Sequence, residues 1–413
     1  VVLTKNKTWF ARILVFLSVI GPGIITGSVD NDAGGITTYS VAGAEYGYHL
    51  LWTLIPAFVV LLVVQEMNAR IGIITGKGLA DLIRENFGVK ISFFVFLGLL
   101  IADIGNTTTE FAGIAGSMMI FGVSKYISVP VCAILVWLFV TKGNYKSAEK
   151  LFLVFSIFLF TYVVSALLAK PDWNSIGNAI VSPKIQTDGK YIGMVIGMVG
   201  TTIAPWMQFY MQSAVIEKGI KIDEYKYALW DVVIGCIATI VVAFFIIVAC
   251  GATLFPKHVT ITNAKDAAEA LSPLAGIFAS HLFAFGLFIA SIFAATILPL
   301  ATSFYISEAF GFEAGIDKKI KEAPEFYTIF TSIITISALI ILIPNAPLIL
   351  ITIWSQVLNG VLLPVVLVSM MIIVNKKEIM GMYVNGKFKN LVGWTTISIL
   401  IVLTAILTFR SLI

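Results

Sequence analysis

The chain has 413 residues, of which 59% are hydrophobic and 12% charged, with a formal net charge of +4. A soluble domain is typically about 45–50% apolar and about 25% charged, so these charges are too few to cover several water-facing surfaces. Disordered and collagen-like classes are excluded as well. Cys132, Cys236 and Cys250 sit in apolar stretches without C-x-x-C spacing, which excludes a disulfide framework or a thiolate metal site. A polytopic helical membrane protein remains.

Eleven apolar segments are long enough to cross about 30 Å of hydrocarbon. In chain order they are 10–45 (interrupted), 48–70, 91–121, 127–141, 148–169, 190–217 (interrupted), 226–254, 275–307, 325–343, 346–374 and 390–411. The first run starts near Ile13, lacks a small-residue cleavage site and leads into a second span, so it reads as a membrane helix rather than a signal peptide. With the N-terminus cytoplasmic, 20 of the 27 Lys and Arg fall on cytoplasmic segments, in clusters such as Lys218, Lys221 and Lys226. Seven fall outside: Lys125, Lys170, Lys184, Lys190, Lys257, Lys265 and Arg410. That asymmetry predicts a multi-pass protein of the cell membrane, N-terminus inside and C-terminus outside. The net charge thus records orientation and does not point to nucleic acid.

Asp30, Asp32, Asp103, Glu110 and Asp231 lie inside spans, where no Lys or Arg lies deep. Intramembrane carboxylates are costly unless paired, protonated or facing an ion, and a cation is the simplest resident. For Asp103 and Asp231 the alternative of a protonated acid bonded to a neighbouring helix stays open. The first span carries Asp30-Asn31-Asp32-Ala33-Gly34-Gly35, whose side chains compete with helical hydrogen bonds and whose glycines accept almost any backbone angle. The sixth carries Thr201-Thr202-Ile203-Ala204-Pro205-Trp206, where Pro205 lacks an N–H. Both helices are expected to break. Irregular backbone at membrane depth persists only where it is buried in protein or lines a polar cavity, so both breaks are candidate sites. Breaks in the first and sixth spans suit two five-helix repeats of opposite topology.

At these residues the chain resembles the Nramp family of divalent-metal transporters, and more closely its branch of Nramp-related magnesium transporters. The resemblance rests on Gly21-Pro22-Gly23, Ala42-Gly43-Ala44, Ala69-Arg70-x-Gly72, Thr75-Gly76-Lys77-x-Leu79, Glu110, Pro205, Ser355-Gln356-Val357 and Pro364. It implies an all-α, eleven-helix LeuT-type fold in one transporter domain spanning 1–413, with repeats of about 10–169 and 190–374 and an extra helix at about 390–411. The ion would lie between the broken first and sixth helices. Where manganese and iron carriers of the family have Asp-Pro-Gly-Asn, this chain has Asp32-Ala33-Gly34-Gly35. Where they have Ala-x-x-Met-Pro-His, it has Thr201 to Trp206, so a thioether becomes the methyl group of Ala204. The family's Asp-x-x-Glu pair becomes Thr107-x-x-Glu110.

A thioether favours softer transition metals, whereas Mg²⁺ binds through one or two carboxylates and keeps several waters. Loss of the Asn at Gly35 and the Met at Ala204 is expected to free space for a partly hydrated ion. The expected metal-site residues are Asp32 as main carboxylate, Asp30, Asn31, Gly35, the Thr201 carbonyl, the Thr202 hydroxyl, Ala204, and Gln356 or Asn359 from the tenth span. Glu110 and Asp103 are the remaining acids for a proton path or second acid site. The resulting reading is a non-enzymatic secondary transporter that imports Mg²⁺, and also Mn²⁺, by alternating access without proton coupling. It needs no cofactor, its partners are the divalent cation and the bilayer, and a monomer suffices. The alternative is a proton-coupled Mn²⁺/Fe²⁺ symporter. A sodium-coupled organic-solute carrier fits less well, because the acids at the first break repel a carboxylate. A paired-aspartate intramembrane hydrolase would need Asp103 and Asp231 to face one another.

Overall fold

The computed structural model describes residues 19–142, 161–262, 266 and 272–412, and the described residues are helical with short connections. Residues 10–18 of the first expected span, 148–160 of the fifth, and Lys265 lie outside that set. Nine helices among the described residues are long and apolar enough to cross a membrane. In lipid a helix satisfies its own backbone, which is why these β-branched, phenylalanine-rich stretches coil instead of pairing as strands.

The first membrane helix is split into α1 (Pro22–Val29) and α2 (Ala33–Tyr46). There follow α3 (Leu54–Thr75), α4 (Leu79–Ile120), α5 (Lys125–Lys142), α6 (Thr161–Leu168) and the short α7 (Trp173–Val181). The second split helix is α8 (Gly189–Thr202) and α9 (Pro205–Glu217). The chain ends through α10 (Tyr225–Thr253), α11 (Ser272–Phe310), α12 (Pro324–Leu342), α13 (Leu348–Asn375) and α14 (Lys387–Leu412).

Two expectations change. The third span begins at Leu79 rather than near residue 91, as a charged segment that turns at Gly88 (φ 78°, ψ 166°) into the membrane helix. Only glycine takes that backbone cheaply. The short α7 is added, started by the Asp172 carboxylate accepting from the Asn174 N–H at 3.1 Å; it is too short to register as a span.

Around the centre, α4 lies along α11, α8 along α13, and α10 along both α1 and α2. One face gathers basic clusters. There Lys389 pairs with Glu66 at 2.6 Å, Lys376 donates to Asn86 at 2.6 Å, and Lys218 donates to the Ile20 carbonyl at 2.6 Å. On the opposite face Trp52 donates to the Tyr191 hydroxyl at 3.3 Å, and Lys125 donates to the carbonyls of Ile341 and Ile343 at 2.9 Å.

Candidate functional site

The first break is three residues long. Asp30, Asn31 and Asp32 are buried, with 2%, 1% and 5% of their surfaces exposed. Asp32 leaves the helical conformation (φ −73°, ψ −174°) and becomes the N-cap of α2, its Oδ1 accepting from the Gly35 N–H at 2.7 Å. Glu110 reaches across from α4, and its Oε2 accepts from the Ala33 N–H at 3.1 Å. Two carboxylates thus hold the positive end of the α2 dipole, a favourable place for negative charge. Asp32 and Glu110 thus both reach the first turn of α2. Among the described residues, both oxygens of Asp30, Oε1 of Glu110 and Oδ1 of Asn31 have no hydrogen-bond partner. Among the described residues, no Lys or Arg pairs with Asp30, Asp32 or Glu110.

The second break has no ionisable side chain. Pro205 starts α9 without an N–H, so the carbonyl of Thr201, four residues earlier, has no helical partner. The negative ends of α1 and α8 both finish at these breaks. Thr201 meets the first break directly, since a Cβ built on Gly35 would lie 3.4 Å from Thr201 Oγ1.

Three of the expected residues are placed as follows. The space gained at Gly35 is already filled, because its Cβ would lie 2.5 Å from the Asp30 carbonyl oxygen; Gly35 supplies an N–H to Asp32 and permits close approach. The Thr202 hydroxyl is engaged, donating to the Met198 carbonyl at 2.7 Å and meeting Tyr39 at 2.8 Å. The Ala204 carbonyl accepts from Gln208 Nε2 at 3.0 Å and from the Met207 N–H at 3.2 Å.

From α13, the Gln356 amide lies against the first break: a Cβ on Gly34 would be 2.3 Å from Gln356 Nε2 and 3.0 Å from Asp32 Oδ1. Asn359 is set one turn back, its Nδ2 donating to Gln356 Oε1 at 3.1 Å. Asp103 lies further along α4 and bonds to Asn106, Thr302 and Tyr305. Asp231 sits at the opposite end of α1 from Asp30, accepting from the N–H groups of Gly21, Gly23 and Ile24 at 3.1, 2.6 and 3.3 Å. These two acids therefore serve separate neighbours and do not form the shared dyad that an aspartyl hydrolase needs.

A cavity of about 470 Å³ opens on the face opposite the basic clusters and descends to Thr37, Thr109, Gly113 and Thr352. Thr109 and Gly113 flank Glu110 on α4, and Thr37 is one turn past Ala33 on α2, so the cavity floor lies just above the acids. Toward the basic face the path is filled. Phe96, Phe209 and Tyr305 pack with ring centroids 4.9 to 5.9 Å apart, and Gln208 Oε1 accepts from Asn68 Nδ2. Asn68, Asn106, Gln208, Thr302 and Tyr305 escaped sequence reasoning; the signal available was polar spacing inside apolar helices, with Asp103 and Asn106, like Gln356 and Asn359, three residues apart.

Comparisons with known proteins bear on the family and the fold. The family model described as natural resistance-associated macrophage protein-like (Nramp) matches residues 23–410. The "Divalent metal cation transporter MntH" of Yersinia pestis (strain Pestoides F) is 27% identical over 406 residues, covering 96% of each chain. The protein of the same name from Klebsiella pneumoniae (strain 342) is 26% identical, covering 99% of this chain and 98% of its own. Among solved structures, the Eremococcus coleocola manganese transporter in complex with an aromatic bis-isothiourea compound superposes with a TM-score of 0.76 at 21% identity, covering 97% of this chain and 88% of that one. Mhp1, a nucleobase-cation-symport-1 family transporter, gives 0.60 at 10% identity, covering 95% and 93%. The fold is of the LeuT type, and the chain belongs to the Nramp family.

Proposed function

We propose that the chain carries divalent metal cations across the cell membrane by alternating access, with Mg²⁺ the main cargo, Mn²⁺ also carried, and no proton moved with them. The observation that supports transport of a cation is the first break, where, among the described residues, Asp30 and Glu110 keep carboxylate oxygens without partners and no basic side chain pairs with them. Asp32 and Asp30 supply the charge. Asn31, the Thr201 carbonyl and the amides of Gln356 and Asn359 supply neutral oxygens for the ion or its waters. Gly35, Thr202 and Ala204 form the wall.

Preference for Mg²⁺ rests on what the wall lacks. Ala204 offers no sulfur at the position where manganese and iron carriers of the family place methionine. Carboxylates and carbonyls suit a hard ion that keeps part of its water. The family's His is replaced by buried Trp206 and one acid by Thr107, which interrupts its proton route. A proton is not required, because a negative-inside potential favours entry of a divalent ion by about 4.6 kcal/mol per 100 mV, twice the single-charge value. The basic face is the cytoplasmic one by the positive-inside rule. The cavity over Thr37 and Thr109 then faces outward, while the aromatic cluster seals the inside.

The second reading, a proton-coupled Mn²⁺/Fe²⁺ symporter, draws on the names of the MntH relatives and on two carboxylates, Asp32 and Glu110, gathered on the first turn of α2, from which a bound ion could expel a proton. Proteoliposomes holding a pH dye separate the two. Mg²⁺ should enter under an inside-negative potential, compete with Mn²⁺ and leave the lumen pH unchanged. If Mn²⁺ acidifies the lumen while a thousandfold excess of Mg²⁺ neither enters nor competes, the symporter reading replaces the first.

A further inference from the structure

Asp103 is 1% exposed and no Lys or Arg pairs with it among the described residues. Its Oδ1 accepts from Asn106 Nδ2 at 3.0 Å, and its Oδ2 accepts from Thr302 Oγ1 at 2.9 Å and the Tyr305 hydroxyl at 3.0 Å. Both oxygens of Asp103 accept, and Asn106 accordingly turns its NH₂ toward Asp103.

The two ends of an amide are alike in size, and hydrogen-bond partners alone decide which way it faces. Asn106 and Asn359 form a reciprocal pair: Asn106 Nδ2 donates to Asn359 Oδ1 at 3.2 Å, and Asn359 Nδ2 donates to Asn106 Oδ1 at 2.9 Å. Such a pair is indifferent to reversal of both members. The Ser355 hydroxyl, 2.7 Å from Asn106 Oδ1, does not break the tie, because a hydroxyl can donate or accept. Asp103 breaks it. The order then propagates: Asn359 Nδ2 donates to Gln356 Oε1 at 3.1 Å and Gln356 Nε2 donates to Asn106 Oδ1 at 3.4 Å, which turns the Gln356 NH₂ toward Gly34 at the first break.

A cation at Asp32 needs the opposite end of Gln356, its oxygen. Reversing Gln356 alone would set its NH₂ against that of Asn359. Reversing Asn359 in turn forces Asn106, whose oxygen would then face the Asp103 carboxylate. We propose that Asp103 is a positioning residue that holds Gln356 with its NH₂ toward the empty site, so that cation binding must reverse the Gln356–Asn359–Asn106 chain against it. The inference rests on the cation reading of the first break.

The test uses Asp103→Asn, which keeps the shape and can present either end to Asn106. Calorimetric titration of the purified full-length protein with MgCl₂ and MnCl₂ should give binding tightened by roughly tenfold, the scale of one buried hydrogen-bond mismatch. The gain should vanish in a Gln356→Ala background. Unchanged or weaker binding in Asp103→Asn overturns the inference, as does a gain that persists without Gln356; a merely structural Asp103 would lower the thermal midpoint and leave affinity in place. Asp32→Ala, run alongside, reports separately on the cation reading: if it still binds both ions, that reading has failed, whereas its loss of binding beside an unmoved Asp103→Asn rejects the amide chain alone.

Discussion

The two helix breaks face each other but are built by opposite means. The first is made by side chains: Asp32 caps α2, Glu110 arrives from α4 to hold the Ala33 N–H, and Asp30 is buried with no hydrogen-bond partner among the described residues. The second is made by a missing N–H, since Pro205 frees the Thr201 carbonyl, and the Gln208 amide donates to the Ala204 carbonyl. One break carries full charge in a place water scarcely reaches; the other carries only backbone dipoles. The contrast assigns them different work. Full charges decide whether a cation enters at all, and neutral dipoles with the side chains beside them decide which cation is held and how tightly.

The largest effect should therefore come from the first break. Asp32→Ala removes both the cap and the principal carboxylate, and ion affinity measured by calorimetry should fall by roughly 100-fold or more, the scale of a buried charged contact. Retained affinity would remove the cation from the first break and with it the contrast between the two. Next in size is Gly35→Ala, which sets a methyl 2.5 Å from the Asp30 carbonyl. Overpacking of this kind costs about 1–3 kcal/mol, and thermal unfolding should register it as a lower midpoint. A midpoint equal to that of the parent protein would mean the break has slack.

How much of this was legible follows from the range of the interactions. The spans were readable because only long apolar helices satisfy their backbone in lipid. Both breaks were readable because Asp, Asn, Gly and Pro disturb a helix through local chemistry. What distance in sequence hides is who meets whom. Nothing in the chain places Glu110 on the Ala33 N–H, sends Asp231 across to the start of α1, or fills the gap at Gly35 with the Asp30 carbonyl. The amide chain was half visible as Asp103 with Asn106 and Gln356 with Asn359, three residues apart on each helix, but its joining across α4 and α13 is a property of packing.

At the second break the expected effects are smaller. Pro205→Ala restores an N–H four residues after Thr201, giving that carbonyl a helical partner and taking it from the ion. One hydrogen bond of this kind is worth about 1 kcal/mol, so affinity should weaken several-fold while helix content by circular dichroism stays level. A loss as large as that of Asp32→Ala would show that the dipoles matter as much as the charges.

The smallest shift isolates selectivity from affinity. Ala204→Met places a thioether where this chain has a methyl, and α9 already spends the Ala204 carbonyl on Gln208 and Met207, so the backbone there has no reason to move. A polarizable sulfur adds attraction for Mn²⁺ and none for Mg²⁺, which holds its waters instead. Competition flux should therefore shift a few-fold toward Mn²⁺ with the Mg²⁺ rate falling slightly, because sulfur displaces a water that Mg²⁺ would retain. If the substitution leaves the Mn²⁺ to Mg²⁺ ratio untouched while Asp32→Ala abolishes binding of both ions, the second break does not choose the ion, and selectivity lies with the acids of the first.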